Sequence, residues 1–123
     1  MKELKSYTDL DVWKKSRELA NIIYQFSKAF PSDEQFGLTS QIRRCAISIP
    51  SNIAEGCGRD TSKDTVRFLF NARGSLYELE TQLYLAFDQN YLKESKMNTI
   101  FGEIVECKKL LNGFINYYQK IGK

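Results

Sequence analysis

Three glutamates are the side chains of this sequence that could most directly serve catalysis. Glu55 ends the stretch SIPSNIAE, and Glu78 and Glu80 lie in the stretch LYELE. Clustered carboxylates hold Mg²⁺ together with substrate phosphates, so these residues would suit a metal-dependent nuclease. Nothing in their spacing brings the three carboxylates together. We therefore keep the nuclease as an alternative and predict that the protein is not an enzyme.

Few residues are available for other catalytic or metal chemistry. The chain has no histidine, which removes the commonest general base and a usual ligand of zinc. Cys45, Cys57 and Cys107 are far apart in the sequence and form no CxxC pair. We interpret them as reduced thiols in or near a core. We predict no cofactor and no metal.

Polar residues recur every three or four positions in two segments, which places each set on one helix face. The first set is Gln41, Arg44, Ser48, Asn52, Glu55 and Arg59. The second set is Arg67, Asn71, Gly74, Glu78 and Thr81, with Arg73 and Glu80 on a neighbouring line. Three explanations are open: solvated faces with weak helical ion pairs, a subunit interface, or the carboxylate cluster described above.

We favour the subunit interface. Arginine pairs bidentately with carboxylates at interfaces, and Gly74 followed by Ser75 leaves room for another backbone to approach. The predicted interface residues are Arg43, Arg44, Ser48, Asn52, Glu55, Arg59, Arg67, Arg73, Gly74, Glu78 and Glu80.

Four segments carry apolar residues at helical spacing, and they must position these side chains. They cover about residues 9–30, 33–56, 62–90 and 95–120. Thr8 and Asp11 resemble a capping box before the first segment, and Pro31 ends it. Short turns join the segments, so neighbours run antiparallel. We predict one all-α domain, residues 1–123, folded as an antiparallel up-down-up-down four-helix bundle.

The last two segments have the longest apolar seams. The third seam is Leu69, Ala72, Leu76, Leu79, Leu83 and Ala86. The fourth seam is Met97, Ile100, Ile104, Cys107, Leu111, Phe114, Tyr118 and Ile121. Seams of this kind pack against each other in a bundle core.

Pro50 lies inside the second segment. Ile42, Cys45, Ile49 and Ile53 keep their helical spacing across it, which favours one helix kinked at Pro50 over a strand or a broken helix. A proline in a helix interior costs about 3 kcal/mol or more. The kink is therefore expected to serve a packing geometry.

The net charge of +3 is unevenly distributed. All lysines except Lys63 lie in residues 1–30 or 93–123, whereas all arginines except Arg17 lie between them. Candidate phosphate contacts are Lys14, Lys15, Arg17, Lys108, Lys109 and Lys120. No apolar run approaches the roughly 18 residues that span a bilayer, and the N-terminus lacks the apolar region of a secretory signal. We expect a cytoplasmic protein with no membrane partner.

Three stretches carry a resemblance to a known family: LDVWKKSRELANIIYQF, GLTSQIRRCAISIPSNIAEGCGR and FLFNARGSLYELETQLYLA. They resemble the four-helix-bundle family of 23S rRNA intervening-sequence proteins, over about residues 8 to 120. The resemblance implies a left-handed antiparallel bundle that assembles as a homopentamer around a central channel, with no established enzymatic activity. The accessory variability protein of diversity-generating retroelements is similar, and it binds nucleic acid and a reverse transcriptase.

The family pattern matches a defined set of positions in this chain. Cys45 and Cys57 depart from it, because alanine or a bulkier apolar residue is expected there. The matching positions are Arg43, Arg44, Pro50, Asn52, Glu55, Gly56, Arg59, Arg73, Gly74, Glu78 and Glu80.

Three functions are therefore compared. The first, which we predict, is a non-catalytic homo-oligomer, a pentamer by resemblance, that binds structured RNA or DNA through a basic surface. The second is an adaptor or assembly scaffold that binds a partner protein and has no affinity for nucleic acid. The third is the metal-dependent nuclease. Native mass together with a test for bound nucleic acid separates the first two.

Overall fold

The structure, a computed structural model, describes residues 6–122. Within this range the helices are α1 (Asp11–Ser27), α2 (Leu38–Cys57), α3 (Ser62–Asp88) and α4 (Glu94–Ile121). Short 3-10 turns cover Tyr7–Asp9 and Ser32–Glu34. The prediction that the chain has no secretory signal rests partly on residues 1–5, which lie outside the described residues.

The four helices form a bundle in which each helix contacts the next one along the chain. α4 also contacts α1, so every helix has two neighbours. The contact between α2 and α3 is the most extensive. This arrangement, with no strand in residues 6–122, confirms the predicted four-helix bundle. No helix in the described part of the chain combines the length and apolarity needed to cross a membrane.

The apolar seams form the core. All six residues of the seam on α3 are fully buried, as are Ile42, Ile49 and Ile53 on α2. On α4 the predicted seam is right as far as Tyr118, since Phe114 and Tyr118 are partly buried against the core, and it is wrong at Ile121, which is exposed. Ile115, which the seam did not include, is buried. Lys15 pairs with Glu103, so α1 begins near the level of Cys107. The C-terminal end of α4 therefore extends past the start of α1, so α1 does not cover it.

α2 runs unbroken through Pro50, which confirms the single-helix prediction. Proline has no N–H, so the regular bond to the carbonyl of Ala46 is missing. Ile49 and Ile53 are fully buried on either side of Pro50. Core packing therefore keeps the helix continuous despite the lost bond.

The ends of α1 and α2 differ from the sequence pattern. Thr8 does not cap α1, so the capping box is wrong: Leu10 precedes that helix and makes no side-chain cap. Phe30 is buried but lies in a turn after Ser27, where its N–H bonds to the Ser27 carbonyl. Glu34 lies four residues before Leu38, the first residue of α2, and its Oε1 accepts a hydrogen bond from Leu38 N at 3.0 Å. A glutamate side chain therefore caps α2 from the preceding turn.

Candidate functional site

The polar residues at the centre of α2 meet α3. Ser48 Oγ lies 2.6 Å from Ser75 Oγ and donates to the carbonyl of Cys45 at 2.6 Å. Asn52 Nδ2 donates to the Ser48 carbonyl at 2.8 Å. These groups find partners inside the chain, and the contact between Ser48 and Ser75 joins α2 to α3. The two polar helix faces that the sequence predicts therefore lie next to each other along the contact between α2 and α3.

Arg44 of α2 and Glu78 of α3 are exposed. Arg44 forms no hydrogen bond or ion pair with any residue in 6–122, so its charge is open to solvent. Burial, together with the nearby Glu78 carboxylate, raises the pKa of the Cys45 thiol to about 12. Cys45 is therefore protonated at neutral pH and is no nucleophile in this setting.

Two arginines share one aromatic ring at the end of the α2/α3 contact. Arg59 lies 4.4 Å and Arg67 lies 4.9 Å from the centre of the Phe68 ring. Arg59 also pairs with Glu55 at 2.6 Å, one helical turn earlier. An arginine–carboxylate pair is thus formed here between the last turn of α2 and the residues that follow it, on a largely exposed surface.

Three residues of the predicted interface point to other helices. Arg43 Nε donates to Ser27 Oγ on α1 at 2.8 Å. Arg73 donates to Asn112 Oδ1 on α4 at 3.1 Å, and Glu80 pairs with Lys108 on α4. These three side chains therefore join helices within one bundle. The predicted interface set is divided among three sides of the molecule.

The three glutamates of the nuclease alternative lie apart. Glu55 pairs with Arg59, whereas Glu80 faces α4. The contact between Ser48 and Ser75 places Glu78 about ten residues from Glu55 along the antiparallel helices, roughly 15 Å at 1.5 Å per residue. Within residues 6–122 no group of three histidine, cysteine, aspartate or glutamate side chains is arranged to hold a metal ion.

The cysteines are unpaired in the described chain. Cys45 and Cys107 are buried, and Cys57 is half-buried. Burial raises the pKa of Cys107 to about 12 and also raises the pKa of Cys57. All three thiols are therefore protonated near neutral pH, in line with thiols in or near a core.

The predicted phosphate contacts differ in how free their charges are. Lys15 pairs with Glu103, and this hydrogen bond raises the lysine pKa. Lys108 is bound to Glu80, and Lys109 lies 3.8 Å from Glu106. Lys14, Arg17 and Lys120 are exposed.

Lys14 and Arg17 line an open groove of about 480 Å³ between α1 and α4. We call it the basic groove. Lys96 of α4 also lines it, and Glu18 is its one acidic lining residue. Neither Lys14 nor Lys96 has a side-chain partner among residues 6–122. The sequence did not indicate Lys96, because only the antiparallel pairing of α1 and α4 brings it to the groove that Lys14 lines.

A family model settles the chain's relationships. The model described as "23S rRNA-intervening sequence protein" matches residues 8–113. The chain belongs to this family. The match covers most of α4 and all of the other three helices, so each face described above lies within the family domain. Among curated proteins, none matches the chain.

A solved structure agrees with the family assignment. It is a crystal structure of a protein of unknown function from the S23 ribosomal protein family of Bacteroides thetaiotaomicron. The two chains are 27% identical with a TM-score of 0.75, and the match covers 84% of this chain and 96% of that one. Family members thus share the bundle, and the function of that relative is described as unknown.

Proposed function

We propose that this protein is a non-catalytic homo-oligomeric bundle that binds structured nucleic acid through the basic groove. The observation that carries the proposal is the convergence of Lys14, Arg17 and Lys96 on one groove. When exposed cations of a protein neutralise phosphates, the counterions condensed on the nucleic acid are released, and this release drives binding. The family name refers to 23S rRNA, so RNA is the first candidate ligand.

Self-association would multiply this charge. Five chains, the number that the resemblance implies, would carry a net charge of about +15. The face proposed for the contact is the outer side of α2 and α3. There Arg44 is exposed without a partner in residues 6–122, and a side chain added at Gly74 would meet nothing within 4 Å. Glu78 supplies an exposed carboxylate for the arginine of another copy.

A cytoplasmic location belongs to the same proposal. The three cysteines of the described chain are unpaired, which fits a reducing compartment.

The experiment is a titration of a fluorescently labelled RNA hairpin, followed by anisotropy at several salt concentrations. Lys96→Glu is compared with Lys63→Glu. Both lysines are exposed and lie in the first turn of a helix, so the two changes have similar effects on the helix dipole. Only Lys96 lines the basic groove.

Lys96→Glu is expected to weaken binding about tenfold at low salt and to reduce the slope of log affinity against log salt by about one. Lys63→Glu is expected to leave both quantities near the wild-type values. Equal losses in the two variants would contradict the groove assignment. Wild-type protein that retains a partner protein but no nucleic acid would favour the adaptor function instead.

A further inference from the structure

A second groove, of about 450 Å³, lies between α1 and α2. We call it the aromatic groove. Trp13 and Tyr24 line it from α1, and Pro50 and Ala54 line it from α2. Pro50 and Ala54 are compact side chains, so they leave the groove open beside the aromatic rings.

Tyr24 is 36% exposed, the Trp13 ring is partly buried with Tyr7 packed on its edge, and each ring lies near a guanidinium group. The Arg17 guanidinium carbon lies 5.6 Å from the Trp13 ring centre, and that of Arg43 lies 4.8 Å from the Tyr24 ring centre. Eleven residues separate the rings on one helix, which is about 16 Å at 1.5 Å per residue. The groove therefore offers two separate stacking positions.

The aromatic groove and the basic groove meet along α1. Arg17 and Asn21 line both of them. Among residues 6–122 no carboxylate lines the aromatic groove, whereas Asp64 lines the larger groove of about 720 Å³ between α3 and α4. Glu18 lines the basic groove but not the aromatic groove, so Arg17 and Asn21 are the lining residues that a polyanion passes between the two grooves.

We propose that the aromatic groove binds the bases of an unpaired strand within the nucleic-acid ligand, and this inference rests on the proposed function. Proteins bind single strands by combining a cationic track for the backbone with aromatic rings on which bases stack. Unpaired bases also stack on arginine planes, so Arg17 and Arg43 strengthen the site. An uncharged apolar peptide would fit the rings but would gain nothing from these cations.

The chain carries its own reporter, because Trp13 is its one tryptophan. The fluorescence of Trp13 is followed while a short oligouridylate or a blunt RNA duplex is added. A base that stacks on the indole quenches its emission, whereas a closed duplex keeps its bases internal. We expect quenching that saturates with the oligouridylate and little quenching with the duplex.

The second arm changes the other ring. Tyr24→Ala is expected to weaken oligouridylate binding roughly tenfold, within the range for loss of one base–aromatic stack. Tyr24→Phe keeps the ring and is expected to restore binding. Tyr84→Ala serves as the matched control, because Tyr84 is also exposed and has one ring contact, with Phe101. Thermal melting of each variant verifies that it is folded.

Two results would overturn the inference while leaving the proposed function standing. One is hairpin binding that depends on Lys96 without any quenching of Trp13 by the oligouridylate. The other is equal quenching by duplex and oligouridylate. Failure of every RNA to bind in the anisotropy titration would remove the proposed function and this inference together.

Discussion

Thr65 is one of the few polar side chains buried between helices. Its hydroxyl donates to the Gly56 carbonyl of α2 at 2.8 Å, and the residue is 3% exposed. The close approach leaves no space at Gly56, where an added Cβ would lie 3.1 Å from the Thr65 carbonyl oxygen. A buried hydroxyl thus satisfies a carbonyl at a close contact between α2 and α3.

We predict that Thr65→Val lowers the free energy of unfolding by about 1–2 kcal/mol. The change keeps the side-chain shape but leaves the Gly56 carbonyl without this donor. Thr81→Val is the control, because its exposed hydroxyl donates only to the Tyr77 carbonyl of its own helix. The control is expected to stay within about 0.5 kcal/mol of wild type in urea unfolding. Equal effects of the two changes would contradict the role assigned to Thr65.

Glu34 links stability to pH. Hydrogen bonds from Leu38 N and from the Tyr91 hydroxyl, the latter at 2.8 Å, lower the pKa of its carboxyl below the ordinary value of 4.5. A lowered carboxyl pKa stabilises the folded state fully above the unfolded value. This contribution is lost as the pH falls through the folded value. The cap on α2 is therefore expected to weaken in acid.

We predict that Glu34→Gln loses part of the acid sensitivity of wild type. The variant should be less stable near neutral pH, and the two proteins should converge at a pH well below 4.5, where Glu34 is protonated. Urea unfolding across this range measures the difference. Asp33→Asn, which removes the neighbouring exposed carboxylate, should retain the wild-type pH dependence. The assignment would be refuted if the stability of Asp33→Asn, and not that of Glu34→Gln, became equal to that of wild type at acid pH.

At the level of the helices, the sequence predicted those parts that the core determines. α2 continues across Pro50 because Ile49 and Ile53 are both required in the core. The end of α1 was not predictable from apolar spacing, since Phe30 reaches the core from a turn. For the polar residues, the sequence predicted only the helix face on which each one lies and not its partner. Arg43 finds Ser27 sixteen positions away, and local spacing holds no information about such a partner.

Pro50→Ala tests why α2 contains a proline. The change restores the missing hydrogen bond to Ala46 and removes a cost of about 3 kcal/mol, partly offset by greater freedom of the unfolded chain. We expect the free energy of unfolding to rise by about 1–2 kcal/mol. Pro31→Ala, outside the α-helices, restores no such bond and is expected to give no gain. A loss of stability in Pro50→Ala would mean that packing against α1 requires the proline.

On the scale of the whole molecule, the charges without an internal partner lie on two different sides. Lys14 and Lys96 are unpaired in residues 6–122 on the α1/α4 side, and Arg44 is unpaired on the α2/α3 side. Arg73 and Glu80 instead hold α3 to α4. A ligand surface and a contact between copies can therefore coexist without sharing residues.

Arg44→Ala is the change that tests the contact between copies. Arg44 has no partner within residues 6–122, so its loss should leave the folded chain as stable as wild type. If Arg44 pairs with a carboxylate of another copy, native mass spectrometry of the variant should show a shift from oligomer towards monomer at the same protein concentration. Arg17→Ala, which removes an exposed arginine on α1, should keep the wild-type mass distribution. An intact Arg44→Ala oligomer with unchanged thermal stability would place the contact on another face, because removing one partner of a buried interfacial charge pair leaves the other charge unpaired and weakens the assembly.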